Sequence, residues 1–180
     1  MDGMLALLGV AKLCFGMVIG VAGITIAARQ VTRFAGFDSV DEGLRSGNVA
    51  LGIVVGGAVL AVAILVQHAI AGTFGALDLL LYAQTGAAGI GWIAIYAVVH
   101  VGAALGIGAL LLSVGTRAFV RLTPEIDEIA EIHDGNVASA LVLAAMLVAL
   151  ALVAQPGVET ILDGLLPIPG LARDAVVSPS

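Results

Sequence analysis

The chain has 180 residues, 61% of them hydrophobic and only 11% charged, with a mean hydropathy of +1.15. Soluble domains average about 45–50% apolar and about 25% charged residues, so this composition belongs in a bilayer. A net charge of −6, with one lysine and six arginines, excludes the positive patch that nucleic acid requires.

Four apolar runs follow one another: Met4–Ala28, broken only by Lys12 and Thr25, then Gly47–Ala71, Ala88–Thr116 and Asn136–Ala154. At 1.5 Å per residue each is long enough to cross a hydrocarbon core of roughly 30 Å, and none contains proline. Backbone groups find no water in lipid, so the runs are expected to be helices. Met1-Asp-Gly-Met lacks the positive start of a signal peptide, and the run after it reads as a retained span. Cys14 is the single cysteine, which leaves no intrachain disulfide and no cysteine-based zinc site.

The stretch Arg45-Ser-Gly-Asn-Val-Ala50 returns as His133-Asp-Gly-Asn-Val-Ala138, at a shift of 136 − 48 = 88. The same shift pairs Gly20 with Gly108, Arg29 with Arg117, Arg33 with Arg121, Val54 with Val142, Ala61 with Ala149 and Gln67 with Gln155. Agreement at one constant offset is the mark of a tandem duplication. The expected fold is all-α: a polytopic membrane protein of four transmembrane helices, as two parallel two-helix repeats about an axis along the membrane normal. The first repeat is 1–72, an outer connecting loop 73–87, the second repeat 88–156, and an outer tail 157–180. Leu77-Asp-Leu-Leu-Leu81 resembles Leu162-Asp-Gly-Leu-Leu166. Both pieces are too short to span, so they are expected as interfacial or re-entrant helices, with a mobile tail at Ala172–Ser180.

Arginines gather in the loops 29–47 and 117–135. Positive-inside bias puts both loops in the cytoplasm and both termini outside the plasma (inner) membrane, with Arg29, Arg33, Arg117 and Arg121 as topology anchors at anionic headgroups. Ser39-Val-Asp-Glu42 has the form of a capping box, so a short helix is expected there. In the second loop Thr123 as N-cap, Pro124 at the first helical position and Glu125 would start its counterpart.

Polar residues in or beside the spans are the candidate sites. Asn48 and Asn136 either cap their spans or form a polar pair at the inner mouth, binding a polar group or each other across a pseudo-twofold axis. Lys12 and His100 share one repeat position, 100 − 12 = 88. Either Lys12 snorkels outward and His100 is a hydrogen-bonded neutral residue, or both handle protons or anions inside the bundle. Gln67 and Gln155 are expected at the outer interface. His68 has no counterpart, because Pro156 stands there. No residues stand at the spacing of catalytic machinery, and His68, His100 and His133 lie apart without metal-ligand spacing. No cofactor is implied. Glycines instead recur at packing intervals, as in Gly16/Gly20, Gly52/Gly56 and Gly102/Gly106, and outward-facing ones would support homo-oligomerisation.

The stretch from Arg121 to Leu141, with Thr123-Pro124 and Asn136-Val-Ala138, resembles the YjfL-like family of prokaryotic inner-membrane proteins, a domain of unknown function. The resemblance runs over roughly residues 5–155 and includes Asn48 and Ala50. It implies two copies of a two-helix unit, each with Asn-x-Ala at its second helix, and no activity. The first copy departs from it, with Phe34-Ala-Gly36 where Thr-Pro would stand. The expectation is a non-enzymatic component of the cell envelope, partnered by the lipid bilayer and by its own copies or another envelope protein. The alternative is a small channel or transporter for an ion or polar solute, lined by Lys12, His100, Asn48 and Asn136.

Overall fold

The computed structural model describes residues 2–82, 87–122 and 127–165, and these are all-α. Helix α1 covers Asp2–Ala35, α2 Val40–Arg45, α3 Val49–Tyr82, α4 Ala87–Leu122, α5 Glu128–His133 and α6 Val137–Leu165. Four of them are long and apolar enough to cross a membrane, over Gly9–Ala35, Val49–Asp78, Gly91–Leu122 and Val137–Leu165. The chain has the build of a multi-pass membrane protein. The short helices α2 and α5 lie at one end of the bundle, and the far end is the opposite one.

The long helices outrun the spans read from hydropathy. At 1.5 Å per residue the 34 residues of α3 extend about 51 Å, well beyond a core of roughly 30 Å. Two expectations are thereby corrected. Residues 73–82 are not a loop with a separate interfacial helix but the last turns of α3. Residues 157–165 likewise continue α6 through Pro156. Apolarity measures the lipid, whereas a helix ends only where capping or packing ends it. Thr73 and Ala76 are buried in the extension of α3, and Val158 and Leu162 in that of α6. Proline removes one backbone donor from α6, and side-chain contacts carry the helix past it.

The core is built around α3, which packs against α6, α4 and α1. Helix α1 also touches α4, and α4 touches α6, but α1 and α6 share no substantial contact. Close approach falls where side chains vanish. A Cβ on Gly57 would lie 2.8 Å from the Cα of Ala144, and one on Gly115 2.7 Å from the Leu147 side chain.

The turn from each short helix into the next long one has the same geometry twice. Gly47 (φ 75°) and Gly135 (φ 94°) take the left-handed conformation that favours glycine. Behind α2, Gly47 N–H donates to Leu44 O at 3.1 Å and Asn48 N–H to Gly43 O at 3.0 Å. Behind α5, Gly135 N–H donates to Ile132 O at 3.1 Å and Asn136 N–H to Glu131 O at 2.8 Å. Both are Schellman closures. Ser39 caps α2 as the sequence implies, its Oγ accepting from Glu42 N–H at 3.1 Å. The described α5 begins later than expected, with Asp127 as its cap accepting from Ala130 N–H at 3.1 Å. The proposed cap at Thr123 and Pro124, and the tail, lie outside the described residues.

Candidate functional site

The repeated asparagines are caps first. Asn48 Oδ1 accepts from Leu51 N–H at 2.8 Å, and Asn136 Oδ1 from Ala138 N–H at 2.9 Å. Their amide nitrogens then diverge. Asn48 Nδ2 crosses between the repeats and donates to Ile132 O (3.1 Å) and His133 O (2.8 Å), holding α5 against the start of α3. Asn136 Nδ2 turns back within its own repeat to Glu131 Oε2 at 2.7 Å. The two asparagines do not bond to each other, so the pairing across a twofold axis is corrected. Asn48 sits in an open cleft with Gly47, His133 and Asp134.

Lys12 and His100 end in different surroundings. Lys12 Nζ is 3.4 Å from Asp78 Oδ2 on the extension of α3 and 5.2 Å from the centre of the Phe74 ring, with its side chain 40% exposed. His100 is sealed inside the bundle. Its Nδ1 lies 3.0 Å from Tyr96 O, its ring stacks on Tyr96 at 3.7 Å, and Nε2 is buried without a partner. Trp92, one turn before Tyr96, also buries an unpartnered Nε1.

The far end holds a group that repeat reasoning missed. His68 Nδ1 is 3.5 Å from Glu159 Oε1, and His68 Nε2 is 3.3 Å from Asp163 Oδ1. The two ring nitrogens point away from each other, each to its own carboxylate, so the three groups do not converge on one cation. Among the described residues no cluster is arranged to hold a metal. Gln155 Nε2 donates to Glu159 Oε1 at 2.9 Å, whereas Gln67 lines an apolar groove between α1 and α3. The legible signal was the spacing of Glu159 and Asp163, four residues apart on one helical face; their partner could not be read from spacing.

All four anchoring arginines are exposed. Arg33 and Arg117 share a shallow groove with Gln30, Ser113 and Thr116, where Gln30 Nε2 donates to Ala109 O at 3.0 Å. That bond ties α1 to α4. Glu128, at the start of α5, is buried with both oxygens unpartnered, and nothing in its spacing foretold it.

A family model described as Domain of Unknown Function (DUF350) matches residues 4–103 and again 90–168. The double match agrees with the internal repeat. No curated protein matches the chain, and no solved structure does.

Proposed function

The chain belongs to the DUF350 family of domains of unknown function, and from that premise we propose that it is a non-enzymatic membrane component that associates with copies of itself. The observation that carries this reading is the unequal use of glycine. Gly57 and Gly115 are pressed against α6, while a Cβ on Gly9, Gly16, Gly20, Gly56, Gly102 or Gly106 would meet nothing within 4 Å. Small residues in lipid-facing helices let a second helix approach closely, and dispersion over that approach drives membrane association. Asn48, Asn136, Lys12 and His68, by contrast, make contacts within the fold. The grooves that contain Asn48 and Gln67 include neither Lys12 nor His100, which weighs against a passage lined by all of them. Placement among YjfL-like proteins of the plasma membrane, with the arginine-bearing loops inside and both termini outside, belongs to the same proposal.

Purified protein reconstituted in liposomes tests the reading. The expected result is an unchanged proton and ion leak together with a mass, by native mass spectrometry, of two or more chains. A leak that rises with protein and falls with His100→Ala would replace assembly with transport.

A further inference from the structure

The two repeats do not close on each other. In a twofold pair the contact of α3 with α4 would be matched by one of α6 with α1, and among the described residues α1 and α6 share no substantial contact. The second repeat is instead laid beside the first, as one unit is laid beside the next in an array. Such an arrangement is heterologous: each surface used once inside the chain has an equivalent that is left unused.

Both unused surfaces are present. On α3 the stripe Val54, Gly57, Ala61 and Leu65 is buried, with Gly57 against Ala144 and Leu65 beside Gly108 of the second repeat. Its equivalents on α6, 88 residues later, are Val142, Ala145, Ala149 and Val153, and all four are exposed. Leu65 is 1% exposed and Val153 81%. The receiving surface shows the converse. Between α4 and α6, Gly108 has the Val62 side chain 3.5 Å and the Leu65 side chain 4.0 Å from its Cβ position, and Leu112, Leu147 and Ala151 are buried. The equivalent residues of the first repeat, Gly20, Ile24, Val59 and Ala63, line an open apolar groove between α1 and α3. Leu112 is 1% exposed, and Ile24 in its place 50%.

We infer that a second copy of this chain fills the α1/α3 groove with the Val142–Val153 face of its α6, repeating between chains the contact that joins the two halves within one. This rests on the self-association proposed above and adds its geometry, head-to-tail with all copies pointing the same way in the membrane. The parallel repeats require that orientation. Asn136 has the matching polar asymmetry, since it lacks the cross-repeat carbonyls that Asn48 holds.

Cysteine pairing in native membranes tests it, with the exposed Cys14 first replaced by serine. The internal contact Gly57–Ala144 maps to Ala145 of one copy against Gly56 of the next. Both positions are open, so Gly56→Cys and Ala145→Cys are tolerated by the isolated chain. Mild oxidation should link a Gly56→Cys copy to an Ala145→Cys copy, leave either variant alone unlinked, and give a ladder for the double variant. Gly20→Leu, which adds its side chain to the empty groove, should lower the linked fraction by roughly tenfold or more at unchanged protein recovery. Linking of Gly56→Cys to itself would overturn the proposal in favour of a symmetric dimer. Oligomers by native mass spectrometry without the mixed link would overturn the head-to-tail geometry alone. A monomer, or a groove occupied by a different protein, would overturn self-association as well.

Discussion

The two ends of the bundle treat the duplication differently. At the short-helix end the copies are nearly interchangeable: Gly47 and Gly135 share a left-handed turn, and Asn48 and Asn136 cap the helices that follow. At the far end equivalent positions meet different partners. Lys12 reaches Asp78 near the surface while His100 is sealed against Tyr96, and His68 faces acids on α6 where its own counterpart is Pro156. Backbone geometry makes the same demand on both copies, and only a few residue types meet it. Side-chain surroundings differ, because each repeat is covered on a different surface, and there the two sequences part.

The largest test of that contrast uses adjacent glycines. A Cβ on Gly57 would meet the backbone of Ala144, whose Cα and carbonyl oxygen lie 2.8 Å and 3.1 Å away. Gly57→Leu must therefore separate α3 from α6, at about 1–3 kcal/mol or more. Gly56→Leu meets nothing within the chain and should leave the monomer within about 0.5 kcal/mol of the parent. Unfolding in detergent measures both. Equal losses would mean that α3 and α6 are not in contact as described.

Next come the asparagines. Removing Asn48 deletes a cap and two bonds to the end of α5, with an expected loss of about 2–3 kcal/mol. Asn136→Ala deletes a cap and a bond within its own repeat that is solvent-exposed, and about 1 kcal/mol is expected. Hydrogen exchange should also show α5 loosened by Asn48→Ala more than by Asn136→Ala. A reversed order would remove the cross-repeat role of Asn48.

What the sequence disclosed follows the same line. The Gly-Asn pair was legible because its chemistry is local: a φ above zero selects glycine, and a helix start selects asparagine. The four membrane helices were legible because lipid imposes a length and an apolarity. Helix ends were not, since the turns beyond the lipid in α3 and α6 are fixed by Thr73, Ala76, Val158 and Leu162 packing inward rather than by hydropathy. The burial of His100 and the pairing of His68 with Glu159 and Asp163 depend on how α3, α4 and α6 are placed. The repeat offset carries no sign of either, because it pairs Lys12 with His100 and sets His68 against Pro156. The unequal exposure of Leu65 and Val153 was hidden for the same reason: both are apolar, and nothing in either marks which surface of its repeat is covered.

The smallest effect is expected at His68. Pro156 leaves α6 one backbone hydrogen bond short, so the turns beyond it depend on Val158, Leu162 and the contacts of His68 with two carboxylates. Asp163 is 69% exposed, and even a charged pair in such a position contributes about 0–1 kcal/mol. His68→Ala should therefore leave global unfolding within about 0.5 kcal/mol while amide exchange rises locally over 157–165. The apolar contacts of Val158 and Leu162 survive the substitution, which is why the helix should loosen rather than melt. An unchanged exchange rate would show that packing alone carries α6 past its proline, and the far end would then owe nothing to the residue that the repeat left unpaired.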